Sequence, residues 1–178
     1  MKHDDAMPAV RLRAMEPEDL DMLYTVENDM EHWDTGTTNV PYSRYVLHDY
    51  MANVTGDIYK DRQVRLIIES CSKGEAVGMI DIVNFDPQHR RAELSIIIKK
   101  EMRRGGYAIQ AVCDVARYAE RILHLHQLYV IVASDNIAAI SLFLKAGFAD
   151  SCELKDWLYD GEIYKKARIM HFFCKKHE

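Results

Sequence analysis

The sequence predicts one α+β domain, and three observations carry that reading. The apolar pattern changes along the chain between period two and period 3.6, so both strands and helices form. The changes give the order β-α-α-β-β-β-α-β-α-β-β, in which three consecutive strands call for antiparallel hairpins and exclude a strict alternation of strand and helix. The 178 residues contain no internal repeat and no linker, and that length is close to one domain. We take the domain as residues 1–178 with its folded core at 10–174. With 48% hydrophobic and 29% charged residues, and only 8 Gly and 4 Pro, the chain can bury a core, which excludes the disordered and collagen-like classes.

Alternation first appears at residues 10–14, where Val10, Leu12 and Ala14 alternate with Arg11 and Arg13. A helix follows. Pro17 suits its first turn, Glu18, Asp19 and Asp21 complement its positive end, and Leu20, Leu23 and Tyr24 carry the period to about Asn28. Residues 30–41, with Gly36, Pro41 and several Asp and Thr, read as a loop. Ser43 caps a second helix whose apolar positions Tyr45, Val46, Leu47, Tyr50 and Met51 end before Thr55 and Gly56. The runs VRLIIES, AVGMIDIVNF and RAELSIIIK, separated by turns at 72–74 and 86–87, form an antiparallel meander. Ile109, Val112, Cys113, Ala116, Ala119 and Leu123 recur at spacings of three and four and predict a long helix. A strand at 128–133 leads to a helix capped by Ser134 or Asp135, running through Lys145 and stopping at Gly147. Two late strands, 148–159 and 163–173, flank Asp160-Gly161, a hairpin dipeptide.

Charge and composition exclude several functions. A net charge of −5 argues against a surface that collects nucleic-acid phosphates. Cys71, Cys113, Cys152 and Cys174 form no close pair of the zinc or redox kind and read as reduced thiols. His124 and His126 are two apart, one ligand short of a catalytic metal site, so no metal is expected. No apolar run approaches the ~18 residues of a bilayer span, so no membrane association is expected. The opening MKHDDAMPAV has acids where a secretory signal needs an apolar stretch, and a cytoplasmic location is the expectation.

The chemistry-bearing segment is residues 96–108, which run from the strand end Ile96-Ile97-Ile98 through Arg103-Arg104-Gly105-Gly106 into the long helix at Tyr107 and Ala108. A helix N-terminus offers unpaired N–H groups and a positive dipole end, and glycine lets the backbone approach an anion. Two glycines and two arginines there suit a pyrophosphate; the same residues also serve as an ordinary solvated turn. No Gly-Lys-Ser/Thr follows and the spacing is not GxGxxG, which disfavours nucleoside triphosphates and NAD.

Arg103-x-x-Gly106-x-Ala108 matches the Q/R-x-x-G-x-G/A loop of the GNAT N-acetyltransferase superfamily, in the place that family puts it after its fourth strand. Asn136-Ile-Ala-Ala139-Ile-Ser-Leu142-Phe143-Leu-Lys145-Ala-Gly147-Phe148 resembles the family's N-x-x-A-x-x-L-Y-x-K-x-G-F stretch. HRRAELSIII, LYVIV and GEIYKKARIMHFF look like the spermidine/spermine N-acetyltransferase branch and its ribosomal-protein and small-amine relatives. The resemblance spans residues 10–174 and implies a GNAT fold, a mixed central sheet flanked by helices. It also implies acetyl-CoA between splayed fourth and fifth strands. Backbone groups of the Ile96, Ile97 and Ile98 segment would meet the pantetheine arm, and N–H groups of Arg103, Arg104, Gly105, Gly106, Tyr107 and Ala108 the pyrophosphate. Asn136 and Lys145 would line the far side of the cofactor; by themselves they read equally as a helix cap and a solvated C-terminal charge.

Transfer to an amine needs a neutral nitrogen, a polarised carbonyl and a proton for the thiolate. Lysine-like amines ionise near 10.4, so deprotonation must be assisted. Glu93, flanked by Ala92 and Leu94 just before the cofactor segment, is the candidate base, its other reading being an outward strand residue. A backbone N–H near Ile96 would hold the oxyanion. The family's usual general acid is the Tyr of L-Y-x-K, where this chain has Phe143. Either water protonates the sulfur or a phenol such as Tyr107 or Tyr129 substitutes.

Between Arg13 and Arg44 the chain has no Lys or Arg but eight acids, a formal −8. In the family the loop joining the first helices walls the acceptor site, so Asp29, Glu31 and Asp34 are expected to draw a polyamine or other small cationic amine. The remaining acids complement a helix start and keep the surface solvated. A protein N-terminal acetyltransferase and a silent CoA-binding sensor module are the other readings, and a homo-oligomer is open.

Overall fold

A computed structural model describes residues 7–29 and 40–174. In chain order they form β1 (Val10–Arg13), α1 (Leu20–Glu27), α2 (Arg44–Asn53), α3 (Ile58–Asp61), β2 (Val64–Ser70), β3 (Glu75–Asp86) and β4 (Arg91–Ile98). After these come α4 (Tyr107–Arg121), β5 (Gln127–Ala133), α5 (Ile137–Lys145), β6 (Ala149–Tyr159) and β7 (Tyr164–Phe173). Every expected strand and helix is present. The addition is α3, whose four residues hold less than two turns of period, so no apolar pattern announces it. Its start is set by Asp57, which accepts the Tyr59 N–H at 2.9 Å.

The seven strands make one sheet in the order β1-β2-β3-β4-β5-β7-β6, antiparallel throughout except between β4 and β5. Alternation along β2 and β3 sends Ile68, Ile80 and Ile82 to one face and Ile67 and Met79 to the other, so both faces must be covered. On the first face α4 presents Ala111, Val112, Val115, Ala116 and Ala119, small residues that let the helix lie close to the sheet, and α5 adds Phe143. On the second face α1 and α2 bury Met22, Leu23, Val26 and Leu47 against Ile67 and Met79. Arg65 lies under these helices with Nε and Nη2 on Asp81 at 2.9 and 2.7 Å and Nη1 on Glu27 at 2.5 Å.

Two local expectations change. The cap of α5 is Asn136, whose carboxamide oxygen accepts the Ala139 N–H at 3.0 Å, rather than Ser134 or Asp135. The reason is that the ladder outlasts β5 by one residue: Ser134 N–H still donates to Lys166 O at 2.9 Å, which delays the helix start. The late hairpin closes over the four residues 160–163, because Tyr159 pairs with Tyr164. The Asp160 carboxylate accepts the N–H groups of Glu162 and Ile163 at 3.0 and 2.9 Å, which with Lys165 lower its pKa to about 2.

The entry to α1 is tied to the sheet by Asp19, a buried acid that accepts Arg13 Nη1 and Nη2 at 2.7 and 2.9 Å and the Glu16 N–H at 2.8 Å. Burial works against its charge, yet the Arg13 fork and the Glu16 N–H outweigh burial and hold Asp19 below the ordinary aspartate value. A carboxyl held low stabilises the fold above its unfolded pKa and loses that contribution as pH falls through the folded one. Asp19→Asn is therefore expected to cost about 2 kcal/mol at neutral pH, the scale of hydrogen bonds to charged groups. The gap from the unmodified protein should narrow below about pH 4, where unfolded aspartates protonate, as read from urea unfolding at two pH values.

Candidate active site

Strands β4 and β5 pair over only three rungs, Arg91 with Gln127, Ala92 with Leu128 and Glu93 with Tyr129. Beyond that last rung residues 94–98 of β4 pair only with β3, and residues 130–133 of β5 pair only with β7. The sheet thus opens in its middle. Lys99 N–H donates to Val77 O on the β3 side, so by strand alternation the backbone groups of Ile96 and Ile98 face the opening while Ile97 faces β3. Arg103 Nε donates to Ile98 O at 3.1 Å, so that one carbonyl is already held and Arg103 is anchored to the strand end.

After β4 the chain makes a single 3-10 turn at Lys100–Met102 and reaches α4 through two left-handed residues, Arg104 at φ 62° and Gly106 at φ 81°. A Cβ on Gly106 would lie 2.8 Å from Pro8 Cδ, so glycine is needed there for both backbone and space. The N–H groups of Tyr107, Ala108 and Ile109 open the helix with no carbonyl in it to reach, and intrahelical bonding starts at Gln110 N–H on Gly106 O, 3.4 Å. Free N–H groups, a positive helix end, two arginines and an unpaired strand edge fit a molecule with a pyrophosphate and an amide-bearing arm.

Glu93 lies half-buried on the face that α1 and α2 cover, and its Oε2 accepts Asn84 Nδ2 at 2.8 Å. Next to it on the last rung, Tyr129 is raised above the ordinary phenol value, first by burial and then by the charge of Glu93. The row continues to His171 on β7, 6.4 Å from the Tyr129 ring, whose Nδ1 is 2.6 Å from Ser151 Oγ. Phe143 lies in the core of the opposite face, ring to ring with Phe148 at 5.2 Å. Tyr107 points its hydroxyl at buried Ser70 Oγ, 3.5 Å away on β2. Asn136 is committed to capping α5, and Lys145 is exposed in its last turn.

A cleft of about 450 Å³ between α1 and the end of β4 is lined by Asp21, Thr25, Asp29, Ile97, Lys100 and Arg103 among others. Asp29 pairs there with Lys100 at 3.3 Å, so this acid faces the arginine-rich turn. Glu31 and Asp34 lie outside the described residues. Among the described residues no group of three or more His, Cys, Asp or Glu comes together to hold a metal, and no helix is long and apolar enough to cross a membrane.

Sequence reasoning missed Asn84 and Gly78. Asn84 sits where the β3–β4 register breaks, a place only pairing reveals. Gly78 had a signal, a glycine inside a strand, which marks a close approach. A Cβ there would lie 2.3 Å from Ile97 O and 3.0 Å from Ile98 Cα, so this glycine sets how near β4 stands to β3 along the open segment. Gly78→Ala is expected to cost about 1–3 kcal/mol as overpacking. By displacing Ile97 and Ile98 it should weaken coenzyme A binding about tenfold, or about 1.4 kcal/mol. Titration calorimetry checks this, and unchanged affinity in a folded variant removes Gly78 from the site.

Residues 9–149 match the family model described as an acetyltransferase (GNAT) domain. The chain is 30% identical over 168 residues to the spermidine N(1)-acetyltransferase of Escherichia coli (strain K12), covering 93% of this chain and 86% of that protein. It is 26% identical over 169 residues to the enzyme of the same name from Vibrio cholerae, covering 93% and 94%. The crystal structure of spermidine N-acetyltransferase from Vibrio cholerae in complex with CoA and spermine superposes with a TM-score of 0.80 at 25% identity, covering 93% of this chain and 95% of that one. A dodecameric structure of the Vibrio cholerae enzyme in an intermediate state gives 0.76 at 26% identity, covering 92% and 93%. The chain accordingly belongs to the GNAT acetyltransferase family, as an acyltransferase that uses acetyl-CoA and acts on an amine.

Proposed function

We propose that the protein acetylates a polyamine, with spermidine as the type of acceptor. The observation that carries this reading is the opening between β4 and β5 beside the free N–H groups of α4, on a chain whose curated relatives at 93% coverage are spermidine N-acetyltransferases. Acetyl-CoA, when bound, supplies the activated acetyl group. The backbone of Ile96 and Ile98 would hold its arm, the N–H groups of residues 104–108 its pyrophosphate, since the Arg103 N–H is taken by Lys100 O at 3.3 Å, and Asn136 and Lys145 its outer side. Glu93 is the group that takes the proton of the incoming ammonium. Asn84 donates to one of its carboxylate oxygens at 2.8 Å and so orients it. A backbone N–H at the open edge near Ile96 is placed to receive the developing oxyanion.

The acidic block explains a cationic acceptor. Asp29, Glu31 and Asp34 raise its local concentration, an effect that weakens with salt. Arg65 offsets part of the charge of Glu27 and Asp81, and Lys100 part of that of Asp29, so the long-range field rests mainly on the loop acids Glu31 and Asp34. The dodecameric relative supports a homo-oligomer. One observation favours a second reading: Phe143, where the family has its acid, suits a CoA-binding module without turnover.

Coenzyme A at a hundredfold excess over its dissociation constant should stabilise the fold by about 2.7 kcal/mol, seen as a raised melting temperature. Thiol release from acetyl-CoA should be faster with spermidine than with a neutral-tailed amine of similar length. Neutralising Glu31 and Asp34 together should raise KM for spermidine more than for the neutral-tailed amine, by a margin that shrinks at high salt. A melting shift without thiol release from any amine would select the silent module. Equal KM effects on both amines would reject the polyamine while keeping the acetyltransferase.

A further inference from the structure

Amine acetylation moves a proton from nitrogen to sulfur, and Phe143 cannot deliver it. Its ring is buried against Phe148, with no group that ionises or donates. Of the two phenols in reach of the segment, Tyr107 is turned away to Ser70 on β2, with β3 and β4 between that contact and the opening. Tyr129 is different. It shares with Glu93 the last rung before the strands part, so the two side chains stand on one face directly beside the opening.

We infer that Tyr129 donates the proton to the departing sulfur and is recharged by Glu93. The inference rests on the acetyltransferase reading and on Glu93 as base. Glu93 first passes the ammonium proton on to solvent; the neutral amine nitrogen then bonds to the acetyl carbon and gives a second proton to the Glu93 carboxylate. The carbon–sulfur bond breaks, its electron pair stays on sulfur, and sulfur takes the Tyr129 hydroxyl proton. Glu93 then returns its proton to the Tyr129 oxygen, so both side chains end as they began and one proton has passed from nitrogen to sulfur. The surroundings suit this. Burial and then Glu93 keep the Tyr129 hydroxyl protonated at neutral pH, while Asn84 on β3, Arg91 on β4 and His171 on β7 are its other polar neighbours.

Tyr129→Phe removes one oxygen and tests the contact without turnover. A donor against sulfur favours the thiolate. In the binary complex with coenzyme A, ultraviolet titration of the thiolate should therefore show ionisation about one pH unit lower in the unmodified protein than in Tyr129→Phe, a tenfold change in ionisation constant. The variant should keep the coenzyme A melting shift, which reports a folded cradle, and lose roughly a hundredfold or more in kcat. Identical titration curves in the two proteins, or a variant kcat within about threefold of the original, overturns the inference. An unmodified protein that binds coenzyme A but releases no thiol rejects the enzymatic reading instead, and the titration then judges the contact by itself.

Discussion

Everything that makes this sheet a catalyst follows from a shortage of hydrogen-bond partners. A buried strand ordinarily satisfies its backbone on both sides. Here β4 and β5 share three rungs and separate, leaving the backbone of Ile96 and the N–H of Ile98 directed into a gap, while Ile98 O is held by Arg103 Nε. Such groups stay costly until something with amides of its own fills the space. The fold tolerates the gap because β3 secures β4 continuously from Glu93 to Ile98 and β7 secures β5 along its whole length.

The two faces divide the labour that the gap creates. The α4 and α5 side is apolar and closed, with Ala111, Val115, Phe143 and Phe148 in its core. The α1 and α2 side carries the charges: Arg13 with Asp19, Arg65 with Asp81 and Glu27, and Glu93 with Asn84. Acid–base chemistry belongs on the second face, where polar groups have partners and a route to solvent. The turn at residues 103–106 joins the faces, since Arg103 holds the end of β4 and Gly106 starts α4.

Signals confined to a few neighbouring residues are legible in the sequence. Ser43 caps α2 as its hydroxyl requires, the three- and four-residue spacing marks α4, and Arg103-Arg104-Gly105-Gly106 marks the turn into α4 that Arg103 fastens to the end of β4. Relations between distant residues are not legible. Nothing near Tyr129 in the chain announces that it stands beside Glu93, 36 positions away by numbering. Gly78 shows only as an odd glycine until Ile97 is set against it. Asp29 reads as part of an acidic wall, and the fold pairs it with Lys100. The α5 cap moves one residue because a ladder bond elsewhere in the sheet delays the helix.

The parted strands also set which amides are kinetically secure. Amide protons in a sheet exchange with solvent slowly when a carbonyl holds them and quickly when none does. Along β4 the N–H groups turned to β3 belong to the first class and those of Ile96 and Ile98 to the second, so protection alternates residue by residue in a strand that is structurally continuous. A ligand that bonds this edge converts the alternation into uniform protection, which gives the empty and filled states distinct exchange signatures within a single strand of unchanged conformation.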